Sequence, residues 1–89
     1  MPYKIKQYSL KQAEKLNVNV KPSIRKNKKI DVYDKKNNYI TSIGDTRYND
    51  YPTYLEEDKE KAEERRRAYH SRHKSNNGIA GFYASRLLW

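Results

Sequence analysis

His70 and His73 stand three residues apart, a spacing at which two imidazoles on one helix could share a metal ion. A metal site needs three or four converging ligands, however. The chain has no cysteine and no third histidine, and the acids nearest in sequence fall on other faces of that helix. Asp31 and Asp34 could form a carboxylate pair, but three positions along a strand turn them to opposite faces. No serine–histidine–aspartate set, phosphate loop or activated nucleophile is recognisable. The expectation is a protein with no enzymatic activity, no metal and no cofactor.

The remaining chemistry is that of binding. From Arg65 to Trp89 there are five arginines, one lysine, two histidines and no acid. Guanidinium and ammonium groups in such a run suit phosphate oxygens, whose contacts hold a protein on nucleic acid without reading its sequence. The candidate nucleic-acid-binding residues are Arg65, Arg66, Arg67, Arg72 and Lys74, with Lys26, Lys28 and Lys29 from the first half. A second candidate set, Phe82, Tyr83, Leu88 and Trp89, closes the chain. Those side chains either dock back on the protein's own sheet or insert into a partner as an aromatic anchor.

The charge distribution sharpens this. Residues 1–36 carry a net +8, residues 37–64 a net −5 and residues 65–89 a net +6, within a total of +9. If the two basic ends meet in space they form one positive surface; otherwise the acidic middle pairs with them and only solubility is gained.

Several elements must position these residues. In IDVYDKKNNYITSIG the apolar and β-branched residues alternate around a Lys36-Asn37-Asn38 turn, which predicts a β-hairpin over about 30–44. Pairing Asp34 with Tyr39 sets Val32 opposite Thr41 and Ile30 opposite Ile43. A third strand can come from the N-terminal segment. Ser9, with Gln12 three residues on, fits a capping box for a short helix over 10–16 that stops at Asn17. Asp50 and Pro52 suit the start of a helical turn near Tyr51.

A long basic helix is expected over about 56–74, with acids in its first turns and Arg72 and Lys74 in its last. It ends at Asn76, Asn77 and Gly78, and a final short helix runs from Ile79 or Ala80 to Leu88. On the long helix Ala62, Arg66, Tyr69 and His73 share one stripe. Either Tyr69 packs on the hairpin while Arg66 pairs with Asp45 or Asp50, or the stripe is a contact face.

The chain's 89 residues make one domain, 1–89, of α+β class. Only 35% of the residues are hydrophobic and nine are tyrosines, so tyrosine rings must help to build a small core, and self-association could complete it. The tyrosines expected to stay outside are Tyr33, Tyr39 and one of Tyr48, Tyr51 and Tyr54. No stretch is long and apolar enough to span a membrane, and no secretory leader is apparent.

The series IGDTRYNDYPTYL, AEERRRAYHSRHK and GFYASRLLW resembles a family of small basic proteins encoded by large DNA viruses of eukaryotes and by some tailed phages. The pattern falls on Gly44, Tyr48, Asp50, Tyr51, Arg65, Arg66, Tyr69, Arg72, His73, Gly81, Phe82, Tyr83, Leu87, Leu88 and Trp89. The resemblance implies a viral, virion-associated protein, located in the virion or inside the infected host cell. With the charge pattern, the leading expectation is binding of nucleic acid, DNA first, through backbone phosphates in genome packaging or condensation. The alternative is a minor capsid or cement protein that binds a major capsid protein through its basic surface and aromatic C-terminus.

Overall fold

Ile30, Val32 and Ile43 are almost wholly excluded from solvent, and the chain is arranged around them. In the computed structural model, which describes residues 3–74 and 78–89, the element order is α1 (Gln7–Lys15), β1 (Asn19–Pro22), β2 (Lys28–Tyr33), β3 (Tyr39–Asp45), α2 (Tyr51–Glu57), α3 (Lys59–Arg72) and α4 (Ile79–Leu87). The strands form an antiparallel sheet in the order β1-β2-β3, so the protein is a small α+β domain.

The hairpin has the expected register where it matters, with Ile30 opposite Ile43 and Val32 opposite Thr41. Beyond Val32 the register shifts by one, so Tyr33 rather than Asp34 lies opposite Tyr39. The turn explains the shift. Asn37 takes a positive φ of 67°, and the Asp34 carboxylate accepts from the backbone N–H groups of Lys36 and Asn38 at 2.8 and 2.9 Å. Asp34 is thereby drawn out of the ladder to close the turn. The third strand comes from residues 19–22, and Pro22 is tolerated because β1 lies at the sheet's edge.

Two helix boundaries differ from the sequence reading. Helix α1 starts at Gln7 after Lys6, which makes no side-chain cap. Ser9 lies inside the helix, fully buried, and its hydroxyl donates to the Leu87 carbonyl at 2.6 Å. Its side chain is used for tertiary contact, so the capping box does not form. The expected helix over 56–74 is interrupted at Asp58, whose backbone is extended (φ −162°, ψ 115°). The Asp58 carboxylate accepts from the N–H groups of Glu60 and Lys61, which starts α3 afresh. The expected break at Asn76 and Asn77 lies outside the described residues; Gly78 caps α4.

Helices α1 and α4 pack on each other, and α4 packs on β3. Ala13, Val18, Leu87 and Leu88 join Ile30, Val32 and Ile43 in the core, and Tyr3, Ile5, Leu16, Tyr83 and Trp89 pack around it. Helix α3 has no apolar stripe and buries only Ala62 and Tyr69. It is held by rings: Arg66 lies 4.7 Å over Tyr51, Arg65 and Lys61 lie 5.8 and 5.5 Å over Tyr54, and Tyr69 stacks on Trp89. No helix among the described residues is long and apolar enough to cross a membrane.

Candidate nucleic-acid interface

Three basic segments that are far apart in sequence meet at the turn after β3. Lys28 is paired with Asp45 at the open end of the hairpin, and the Thr46 N–H donates to the Asn27 carbonyl at 3.2 Å. The β1–β2 turn, with Arg25, Lys26 and Lys28, is thereby fixed beside residues 45–48. From the other side, Arg72 and His73 at the end of α3 line one cleft with Gly44, Asp45 and Tyr48. Lys74 follows directly.

Among the described residues Asp45 is the one acidic side chain that lines the cleft, and it is already engaged. The Arg47 guanidinium grips Asp45 with two hydrogen bonds, 3.0 Å from Nε and 2.8 Å from Nη2. Those bonds, together with the charges of Arg47 and Lys28, hold the Asp45 carboxyl at about 2, well below its ordinary value. Among the described residues the ion pairs are Lys6–Glu56, Lys29–Asp50 and Arg47–Asp45. Lys26, Lys28, Arg65, Arg67, Arg72 and Lys74 are exposed and form no ion pair within that set.

The candidates from sequence therefore divide. Lys28 and Arg72 reach the 45–48 turn, with Lys26 and Lys74 two positions along the chain from them. Arg65 and Arg67 are exposed farther back on α3, and Arg67 shares a shallow hollow with Lys59, Glu60, Glu63 and Glu64. Its immediate field is acidic. Arg66 is half-buried on Tyr51 and pairs with neither Asp45 nor Asp50. Lys29 is not a surface cation at all. It is buried, and its Nζ donates to Asp50 Oδ2 at 2.8 Å. Alternation along β2 gave no warning, because the acid that receives it lies 21 residues on.

The aromatic set divides too. Leu88 is buried and Trp89 is half-buried against Tyr69, so the end of the chain docks on its own domain. Tyr83 packs against the core, and only Phe82, at 42% exposure, still projects. Tyr69 lies between two rings, with Trp89 at 4.5 Å and 5° and His73 at 4.3 Å and 25°. Burial raises its phenol pKa above the ordinary value, a shift that the nearby Arg72 charge opposes. Of the tyrosines expected outside, Tyr39 and Tyr48 are exposed, while Tyr33 is half-buried.

Sequence reasoning missed one member of the cluster, Arg47. The TRYND segment is polar and follows a strand-ending glycine, which marks a turn, but no spacing rule links it to residue 27 or residue 73. No protein-family model, curated protein or solved structure matches the chain.

Proposed function

We propose that this is a non-enzymatic protein that binds nucleic acid through backbone phosphates. One observation carries the reading: exposed cations from residues 26–28, 47 and 72–74 lie at or beside one turn, and among the described residues most of them have no acid to neutralise them, while the Arg25 guanidinium lies over Tyr39. Bringing uncompensated like charges together costs stability, and a polyanion that displaces their counterions offsets that cost. The setting proposed is the virion implied by the family resemblance, in packaging or condensing a genome.

The test is fluorescence anisotropy with a labelled duplex of random sequence, titrated at several salt concentrations. Binding on the order of micromolar or tighter is expected, with log affinity falling by roughly 0.9 per phosphate contact for each decade of salt. Combined Lys26→Glu, Lys28→Glu and Arg72→Glu substitutions should weaken binding at least about tenfold and flatten that slope. Absence of binding at low salt would overturn the proposal.

A second reading, a minor capsid or cement protein, is favoured by one surface feature. Ile79 and Phe82 are 63% and 42% exposed on neighbouring turns of α4, and a hollow beside them is lined by Ile40 and Tyr83. Because Leu87 and Leu88 are core residues, Phe82 is the position that tests this reading. Phe82→Glu should abolish co-sedimentation with assembled capsids while leaving the fold and the salt-dependent binding intact.

A further inference from the structure

Tyr48 is the aromatic residue that the fold leaves unused. Tyr51 and Tyr69 are buried, and Tyr3 and Tyr83 pack against the core. Tyr33, Tyr39, Tyr8 and Tyr54 each contact another ring. Tyr48 is 69% exposed, with no ring stacked on it and no cation over its face among the described residues, its charge partner being the adjacent Arg47. It is nonetheless held in a closed turn, its N–H donating to the Asp45 carbonyl at 3.1 Å.

The ring stands at the edge of a cleft of about 420 Å³ between the end of α3, the β3–α2 turn and the end of α4. That volume falls within the range of roughly 300–1,000 Å³ usual for small-ligand pockets. Tyr69 and Trp89 supply an aromatic wall, Leu88 and Ala84 an apolar one, and Arg72 and His73 bring basic side chains. His73 and Trp89 lie at stacking distance from Tyr69 and cannot share one of its faces, so the three rings form a column. A flat aromatic ligand can stack on such a column or on Tyr48.

The charges say what kind of ligand this is. Asp45 lines the same cleft as a firmly ionised carboxylate, which repels a phosphate beside it but accepts a hydrogen bond from an exocyclic amine. Arg47 is neutralised by Asp45, so the unspent positive charge lies with Arg72 and Lys74. A flat ring inward and an anion at the Arg72 end is the polarity of a nucleotide. A base inside a duplex is stacked on its neighbours and cannot enter a cleft, whereas an unpaired one can.

We propose that this cleft receives an unpaired nucleobase beside Tyr48, with the adjoining phosphates on Arg72 and Lys74, and that the protein therefore prefers single strands to duplex. This rests on the phosphate-binding reading above and adds the base to it.

The experiment is anisotropy with a labelled single strand and a duplex of equal length at one salt concentration, for the wild type, Tyr48→Ala and Tyr48→Phe. The wild type should bind the single strand roughly tenfold more tightly, the size expected for one stacked base. Tyr48→Ala should lose that preference and leave duplex affinity and its salt slope unchanged, while Tyr48→Phe should retain it. Trp89, the one tryptophan, should be quenched by the single strand in the wild type and less so in Tyr48→Ala. Equal affinity for the two ligands, or a preference that survives Tyr48→Ala, would overturn the nucleobase site and leave phosphate binding standing. Failure to bind either ligand at low salt would overturn both.

Discussion

Lys29 Nζ lies 2.8 Å from Asp50 Oδ2, and the two side chains are only 5% and 1% exposed. The same carboxylate accepts from the Tyr3 hydroxyl at 2.8 Å and from the Thr53 N–H at 3.0 Å. One acid thus ties β2, the residues before α1 and the first turn of α2 together. Removing one partner of such a pair leaves a buried charge uncompensated. Lys29→Met and Asp50→Ala should therefore each cost about 3–5 kcal/mol in urea denaturation. The double variant should cost less than their sum, since the second change removes the stranded charge.

Asp50 also sets the response to acid. Burial by itself raises its pKa, but hydrogen bonds from Lys29 and Thr53, the Lys29 charge and the Tyr3 hydroxyl outweigh it, and the net shift is downward. A depressed folded pKa gives stability that is present above the unfolded value of about 3.9 and is lost as pH falls through the folded value. Urea midpoints should hold from pH 7 to pH 5 and drop below about pH 4. The gap between wild type and Asp50→Asn should shrink over the same range; a gap independent of pH would contradict this.

At alkaline pH the tyrosines act in the opposite sense. Burial, then the Asp50 charge and hydrogen bond, hold the Tyr3 phenol well above its ordinary value, and Tyr8, Tyr51 and Tyr69 shift the same way. Stability from these raised values is full below about pH 10 and lost as pH rises past it. Tyrosinate absorbance should develop at higher pH in the folded protein than in urea, and Tyr3→Phe should remove part of the late fraction.

Gly44 has a φ of 81°, and a Cβ built there would meet Leu88 Cδ1 at 2.8 Å and Lys29 Cδ at 2.9 Å. Leu88 is in the core and Lys29 is held by Asp50, so neither can give way cheaply. Gly44→Ala should cost about 2–4 kcal/mol, from the left-handed backbone and the overpacking together. Thermal unfolding measures it.

Ser9 and Gln12 make matched contacts with the end of α4 but differ in burial. The Ser9 hydroxyl reaches the Leu87 carbonyl in a buried site, while the Gln12 amide reaches the Arg86 carbonyl at 3.1 Å in an exposed one. Ser9→Ala should cost about 1–2 kcal/mol because the carbonyl is left unsatisfied. Gln12→Ala should stay within about 0.5 kcal/mol, since water replaces the amide.

The parts of this fold that are legible from sequence are the local ones. The Ile30–Ile43 pairing, the Asp50 cap and the α4 boundaries each follow from residues a few positions apart. The misread parts are those in which a polar side chain has a distant partner. Ser9 resembles a cap until Leu87 is beside it, and Lys29 resembles a surface cation until Asp50 receives it. The candidate interface follows the same division. Lys26, Lys28, Arg72 and Lys74 stand out by charge, but the contacts that converge on one turn, Thr46 with Asn27 and Arg72 beside Asp45 and Tyr48, have no local signature.

The Ser9–Leu87 bond spans 78 positions, and Leu87 and Leu88 complete a core to which Ala13 of α1 also belongs. Helix α4 must therefore come back onto α1 and β3 before the sheet has its cover. Until then Ile30, Val32 and Ile43 remain open to any other hydrophobic surface, so aggregation competes with this one long-range closure.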